Sequence, residues 1–300
     1  MHKFVFKKVK TPLGYIRVQP MPTKEELQLF YSQQYYQDEE SLRQTGYEQS
    51  YDREEIAYRN LHSDLIIYAL QNYCPNLIPS QVSFLEVGCG EGFLLSRAAE
   101  RGWNVQGIDF SSYAIARFNP DMAERVTFGD AYKILEELFS SGKSFDFCVM
   151  QNVLEHVIDP EQLLQNIKKI IKPGGAILFI VPNDYSPLQM KALELGLIEE
   201  ETWWSPPAHL SYFNIENCQE FVKSLGFKVI DVFSTFPVDI FLFHPESNYY
   251  KNRERGKDAH RARIRLELMM AEAGMDKYYA FCKSLAGVGM GRNFGLIIGT

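Results

Sequence analysis

The stretch Ser83-Phe-Leu-Glu-Val-Gly-Cys-Gly-Glu-Gly-Phe93 decides how this chain folds: a short apolar run ends in three alternating glycines and passes directly into a helical pattern. It reads as strand, tight turn, helix. Gly88, Gly90 and Gly92 open backbone conformations closed to other residues and let a ligand lie against bare main chain, while the helix that follows offers unpaired N–H groups at its start. This is the build of a nucleotide-type binding turn. The spacing is GxGxG rather than GxGxxG, because position 93 is Phe, and an acid, Glu86, stands two residues before the first glycine. Both features argue against a dinucleotide fingerprint, and with it a nicotinamide dehydrogenase. A carboxylate beside the turn repels a pyrophosphate but suits a ligand whose near end is cationic, such as an amino acid joined to a sulfonium.

Outward from this stretch, strand and helix patterns alternate. Strands are expected at 83–87, 103–108 (ending at Asp109), 125–128 (ending at Asp130), 145–150, 176–181, 227–233 and 293–299. Between them fall helices at 91–101, 113–118, 131–139 and 215–225. A further helix opens at Asp159-Pro160, stripes Leu163, Leu164, Ile167, Ile170 and Ile171 on one side, and stops at Lys172-Pro-Gly-Gly175. The alternation implies an α/β fold, a mostly parallel seven-stranded sheet with helices on both faces. Ligands of such sheets gather at the carboxyl ends of strands, where Asp109 can accept hydrogen bonds from both ribose hydroxyls of a nucleoside. Capping the helix at 113–118 is a role better filled by Ser111.

Further stretches match in order, and here a resemblance enters. Leu85-Glu-Val-Gly-Cys-Gly-Glu-Gly92, Gly107-Ile-Asp-Phe-Ser111, Gly129-Asp-Ala131, Gln151-Asn-Val-Leu-Glu-His-Val157 and Lys172-Pro-Gly-Gly-Ala176 resemble, in sequence order, the motifs of class I S-adenosylmethionine-dependent methyltransferases. The resemblance implies a Rossmann-like fold and S-adenosylmethionine as cofactor, held by Glu86, Gly88, Cys89, Gly90, Gly92, Asp109, Phe110, Asp130, Ala131, Gln151 and Asn152. It implies that Asp130 and Ala131 face the adenine, although Asp130 is also placed to cap the helix at 131–139. It sets Glu86 near the methionine end, acting through water or backbone groups.

Methyl transfer to a hydroxyl needs a proton acceptor, and histidine has the ordinary pKa for that task. Of the six histidines, His209 lies in the aromatic, proline-rich run Trp203-Trp-Ser-Pro-Pro-Ala-His-Leu-Ser-Tyr-Phe213, outside the common fold, and is the first candidate. His156, in the cofactor-proximal framework, is the second. Glu155-His156 resembles ubiquinone-biosynthesis O-methyltransferases, in which a nearby acid completes a divalent metal site. Asn152 stands at the acid's position here, so no metal is expected. Pro206-Pro-Ala-His-Leu-Ser-Tyr-Phe213 and Gly289-Met-Gly-Arg292 resemble a bacterial methyltransferase group often encoded with surface-polysaccharide genes, which implies O-methylation of a sugar or sugar-linked acceptor. Other metabolites (a phenol, carboxylate or amine), a nucleic acid, or cofactor binding without turnover are the alternatives.

Composition bounds the rest. Three hundred residues, 46% hydrophobic and 14% aromatic, bury a full core, and a net charge of -7 at pH 7 disfavours nucleic acid and anionic membranes as partners. A small-molecule substrate is expected; the oligomeric state stays open. Five cysteines without a CxxC pair point to a reducing compartment, and no leader or spanning run is evident, so a cytoplasmic location is expected. Three parts are expected: a helical N-terminal cover over 1–75, the cofactor-binding domain over 76–236 with 293–300, and a helical insertion or lid over 237–292. The cover is rich in tyrosine: Tyr31, Tyr35, Tyr36, Tyr47, Tyr51 and Tyr58. Thr23 with Glu26 reads as a helix start, and 56–73 has helical apolar spacing. The insertion carries a basic run from Arg253 to Arg265, whose plainest reading is a solvated helix face.

Overall fold

A computed structural model describes residues 5–30 and 51–300. Seven strands form the central sheet: β3 (Ser83–Val87), β4 (Asn104–Asp109), β5 (Val126–Phe128), β6 (Phe145–Gln151), β7 (Ile171–Pro182), β9 (Lys228–Ser234) and β10 (Asn293–Gly299). Their spatial order is β5-β4-β3-β6-β7-β10-β9. All neighbours up to β7 pair in parallel, and β10 runs antiparallel between β7 and β9. The chain leaves β3 for β4 on one side and returns to β6 on the other. The crossover at the carboxyl end of β3 therefore opens a crevice where the glycine turn stands.

Two apolar layers cover the sheet, because its inner strands are buried on both faces. One holds α5 (Ala131–Ser140), α6 (Pro160–Lys168) and α8 (Ile215–Ser224), through Leu135, Leu164 and Phe221. The other holds α2 (Arg53–Tyr73), α3 (Phe93–Glu100) and α10 (Met275–Gly287), through Ile66, Leu95 and Cys282. The remaining α-helices among the described residues are α1 (Lys24–Phe30), α4 (Tyr113–Phe118), α7 (Pro187–Glu194) and α9 (Arg255–Ala271). The expected helix start is present: Glu26 N–H donates to Thr23 Oγ1 at 3.2 Å and Thr23 N–H to Glu26 Oε2 at 2.8 Å.

Two local expectations are corrected. The N-terminal cover is not helical throughout: β1 (Lys7–Lys10) and β2 (Ile16–Gln19) form an antiparallel hairpin, extended by β8 (Ser211–Tyr212) from the first insertion. Tyr31, Tyr35, Tyr36 and Tyr47 lie outside the described residues. Lys172-Pro-Gly-Gly175 does not stand before the fifth strand but is carried within β7, bulged opposite Asp146 so that Phe145 pairs Ile171 while Phe147 pairs Ala176. Gly175 permits this, since a Cβ there would lie 2.5 Å from the Asp146 carbonyl oxygen.

Tyr15, in the hairpin turn, is fully buried with its ring 4.8 Å from Phe213 and 5.2 Å from Phe221. The hairpin is thus part of the main core. Tyr15→Ala is expected to lower unfolding free energy by about 3–5 kcal/mol, the range for deleting a buried aromatic, as read by chemical denaturation. Among the described residues no helix is long and apolar enough to cross a membrane.

Candidate active site

The glycine turn is held by backbone bonds before any ligand is considered. Gly88 N–H and Cys89 N–H both donate to the Ile108 carbonyl at the end of β4, and Gly92 N–H to the Cys89 carbonyl. Gly88 and Gly92 sit at φ +74° and +77°, left-handed values that favour glycine. At Gly88 a Cβ would also come within 2.4 Å of Val153 Cγ2, so the turn lies flat against the loop after β6. That loop is itself strained: Asn152 holds φ +52°, its N–H donating to the Ile180 carbonyl and its Oδ1 accepting from Asn293 Nδ2 at 3.1 Å.

The acids stand around this turn. Glu86, on β3, is 1% exposed; its Oε1 accepts from Gln151 Nε2 at 2.9 Å and its Oε2 has no hydrogen-bond partner. Asp109 ends β4, with Oδ2 accepting from Gly90 N–H at 2.7 Å and Oδ1 from Ser111 N–H at 3.0 Å. Burial raises its carboxyl while those N–H groups oppose the rise. Asp130 caps α5 by accepting from Lys133 N–H at 3.2 Å, so the capping alternative is realised. Its other oxygen lies 3.7 Å from Lys24 Nζ.

These groups line a cleft of about 2280 Å³. Single-ligand pockets run roughly 300–1,000 Å³, so this one has room for two molecules. Every residue expected at the cofactor lines it, and so does His156. His209 does not. It lies behind His156, the two rings edge to face with centroids 4.8 Å apart, and burial, helped by His156 and Arg292, holds its pKa down at about 3. A neutral imidazole screened from the cleft is badly placed to take a substrate proton, so the order expected from sequence is reversed.

His156 is better placed. Its Nδ1 is 2.6 Å from the Ala208 carbonyl oxygen, which can only accept, so Nδ1 carries the hydrogen and Nε2 the lone pair. Burial lowers its pKa, which keeps the ring neutral at neutral pH. Glu155 Oε1 lies 3.7 Å from Nε2, in a carboxyl that is 1% exposed and without hydrogen-bond partners. Glu155, His156 and His209 each offer a ligand atom, all within 4.8 Å of one another. The carboxylate-rich set implied by the ubiquinone resemblance is not present, since Asn152 fills the acid's place; the nitrogen-rich set that replaces it suits zinc-like rather than magnesium-like ions. Spacing alone could not foretell that His209 would approach Glu155.

On the wall facing the turn, sequence reasoning singled out the tyrosines but missed Glu55 and Arg59. Tyr51 and Tyr58 both line the cleft, as do Glu55 and Arg59 from α2. Arg59 Nη1 donates to Glu91 Oε2 at 2.6 Å and its guanidinium lies 4.0 Å from the Tyr51 ring centroid; the Tyr51 hydroxyl donates to the same Glu91. The signal for Tyr51 was the tyrosine richness of the cover.

Buried carboxyls give the free protein a pH signature. Burial pushes Glu86 and Glu155 up to about 8 and Asp184 up to about 7. A carboxyl with a raised folded pKa holds its proton more tightly when folded, so stability falls as pH rises from the unfolded value, about 4, through the folded one. The ligand-free protein is therefore expected to lose stability between about pH 5 and pH 8. Glu86→Gln should flatten that slope in denaturation series; an unchanged slope would mean that Glu86 is ionised in the folded state.

The cofactor implied by the resemblance fits. A buried carboxylate oxygen without a donor stands at one end of the glycine turn, a carboxylate fixed by two backbone N–H groups stands at the other, and the surface between them would be blocked by a Cβ at Gly88. Asp109 is placed to hold ribose hydroxyls and Glu86 to face the cationic methionine end.

Comparison with known proteins agrees with this geometry. Residues 48–232 match the family described as a methyltransferase domain. The ubiquinone biosynthesis O-methyltransferase of Rhizobium etli is 29% identical over 168 residues, 56% of this chain and 66% of that protein. The enzyme of the same name from Caulobacter vibrioides is 34% identical over 130 residues, 42% of this chain and 50% of that protein. The chain thus spans about half to two thirds of the length of these curated relatives. The plantazolicin methyltransferase BamL shares the fold, with 17% identity, a TM-score of 0.52, and coverage of 91% of this chain and 93% of that one. On the match over more than half its length, with the glycine turn at the sheet's crossover, the chain belongs to the class I S-adenosylmethionine-dependent methyltransferase family.

Proposed function

We propose that the protein methylates a hydroxyl of a small polar acceptor, a sugar or sugar-linked molecule. Bound S-adenosylmethionine supplies an electrophilic methyl group on a sulfonium. Asp109, Glu86 and the glycine turn orient that donor, and alignment alone supplies much of the acceleration of such a displacement. His156 Nε2 takes the acceptor's proton. Helix α2 on one side and α9 on the other narrow access of water to the cleft.

The observation that carries the O-directed reading is the His156 tautomer, with a basic nitrogen on the cleft wall. The relatives' names, which are those of O-methyltransferases, support it. The sugar reading rests on the resemblance of 206–213 and 289–292. The test is incubation with methyl-labelled donor across nucleotide sugars, phenols and carboxylic acids, with mass detection of the added methyl. Label on a sugar hydroxyl is expected. Label only on a phenol or carboxylate would remove the sugar reading, and no label on any acceptor would favour binding without turnover.

A further inference from the structure

The basic run at 253–265 is split by the fold. Arg261 and Arg265 are exposed, Arg265 paired with Glu54 at 3.2 Å, whereas Lys257, His260 and Arg263, three residues apart on α9, line the cleft. Every ionisable residue that the chain beyond Thr235 gives to this wall is basic: those three and Arg292. The acids of the cleft belong to the strand ends and to the helices before Thr235.

Hydrogen bonds decide which cations are already engaged. Glu55 accepts from His260 Nε2 at 2.8 Å and lies 3.2 Å from Arg59 Nε; Glu91 holds Arg59 Nη1. His260 Nδ1 is 2.7 Å from Arg263 Nη2 and, since arginine only donates, Nδ1 accepts. Glu267, the other acid near Arg263, is engaged through Oε2 by His62 and Tyr278, while its Oε1 has no hydrogen-bond partner among the described residues. Arg292 lies 3.7 Å from Asp239. Two donors remain. Arg263 Nε is buried without a hydrogen-bond partner, its guanidinium centred 5.0 Å from the Tyr58 ring, and Lys257 is exposed with no ion pair among the described residues. Both side chains line the cleft, where an anionic group would meet two cations.

We propose that this wall is the anion subsite of the acceptor: the molecule to be methylated carries a phosphate or carboxylate whose oxygens meet the Arg263 guanidinium and the Lys257 ammonium. This rests on the methyl-transfer reading only for calling the bound molecule an acceptor. It also sets specificity. A neutral analogue leaves both donors unmet, and sites built on such donors reject molecules that lack the matching group.

The test is calorimetry on the full chain saturated with S-adenosylhomocysteine, using glucose 1-phosphate, glucuronate and glucose as probes. Binding of an anionic sugar but not of glucose is expected, and whichever anion binds identifies phosphate or carboxylate as the source. Lys257→Gln, at an exposed position without a partner, should keep the fold and weaken that binding up to about fivefold. Arg263→Gln should weaken it about tenfold or more. Cofactor affinity should hold in both. Glucose binding as well as the anions, no probe binding while S-adenosylhomocysteine binds, or unchanged affinity in both variants would overturn the anion subsite and leave the methyl-transfer reading standing. Failure of S-adenosylhomocysteine itself to bind would overturn both.

Discussion

Replacing Asp109 by alanine is expected to weaken S-adenosylhomocysteine binding by tenfold to several hundredfold. The carboxylate is fixed at the end of β4 by N–H groups of Gly90 and Ser111, one to each oxygen, and each oxygen keeps a second lone pair for a ribose hydroxyl. A hydrogen bond to a charged group contributes roughly 1.5–3 kcal/mol, so the loss of one, or of two at the lower end, gives the stated span. Alanine also releases the Gly90 N–H and loosens the turn, which adds to the effect. Asp109→Asn separates the contributions: its shape is kept, but one oxygen becomes an NH₂ group that must face a backbone donor. Calorimetry gives the affinities and thermal unfolding checks that the variants are folded. Unchanged affinity in Asp109→Ala would take the residue out of the site.

His156→Gln is expected to lower turnover about a hundredfold or more, the usual scale for one positioned acid–base group, with cofactor affinity largely retained. His209→Gln should act more weakly, because His209 reaches the cleft only by packing its ring against that of His156. Burial lowers the His156 pKa, so its basic form is present across neutral pH and activity should fall as pH drops below the ordinary histidine value of about 6.5. That acid limb should vanish in the variant. Chelators should leave the rate unchanged. Loss of rate on chelation, restored by zinc, would make Glu155, His156 and His209 ligands of an ion and His156 Nε2 no longer a base.

The cofactor half of the site was legible because strand ends advertise themselves. An apolar run that ends in an acid or a glycine turn fixes where Glu86, Asp109 and Asp130 must stand once the alternation implies parallel pairing. The strand at 293–299 was readable for the same reason, as a β-branched and glycine-bearing run after a long insertion. The rest of the fold and of the cleft wall was not legible. Lys7–Lys10 is wholly exposed, so β1 carries no alternation to betray a strand, and its partner β2 finds β8 nearly two hundred residues away. The Glu91–Arg59–Glu55–His260–Arg263 chain of contacts joins three distant segments, and only the packing of α9 on α2 decides that its basic face turns inward. His209 sits in the most distinctive loop of the sequence, yet distinctiveness marks a loop and not the direction of its side chain. Here the ring packs against His156 and does not line the cleft.

The most direct measurement is titration of the wild-type chain with S-adenosylhomocysteine and, in parallel, with NAD. One-to-one binding of S-adenosylhomocysteine, lost or sharply weakened in Asp109→Ala, with no heat from NAD, is the expected result. Binding of NAD, or no binding of S-adenosylhomocysteine, would contradict the assignment of the glycine turn to a sulfonium cofactor.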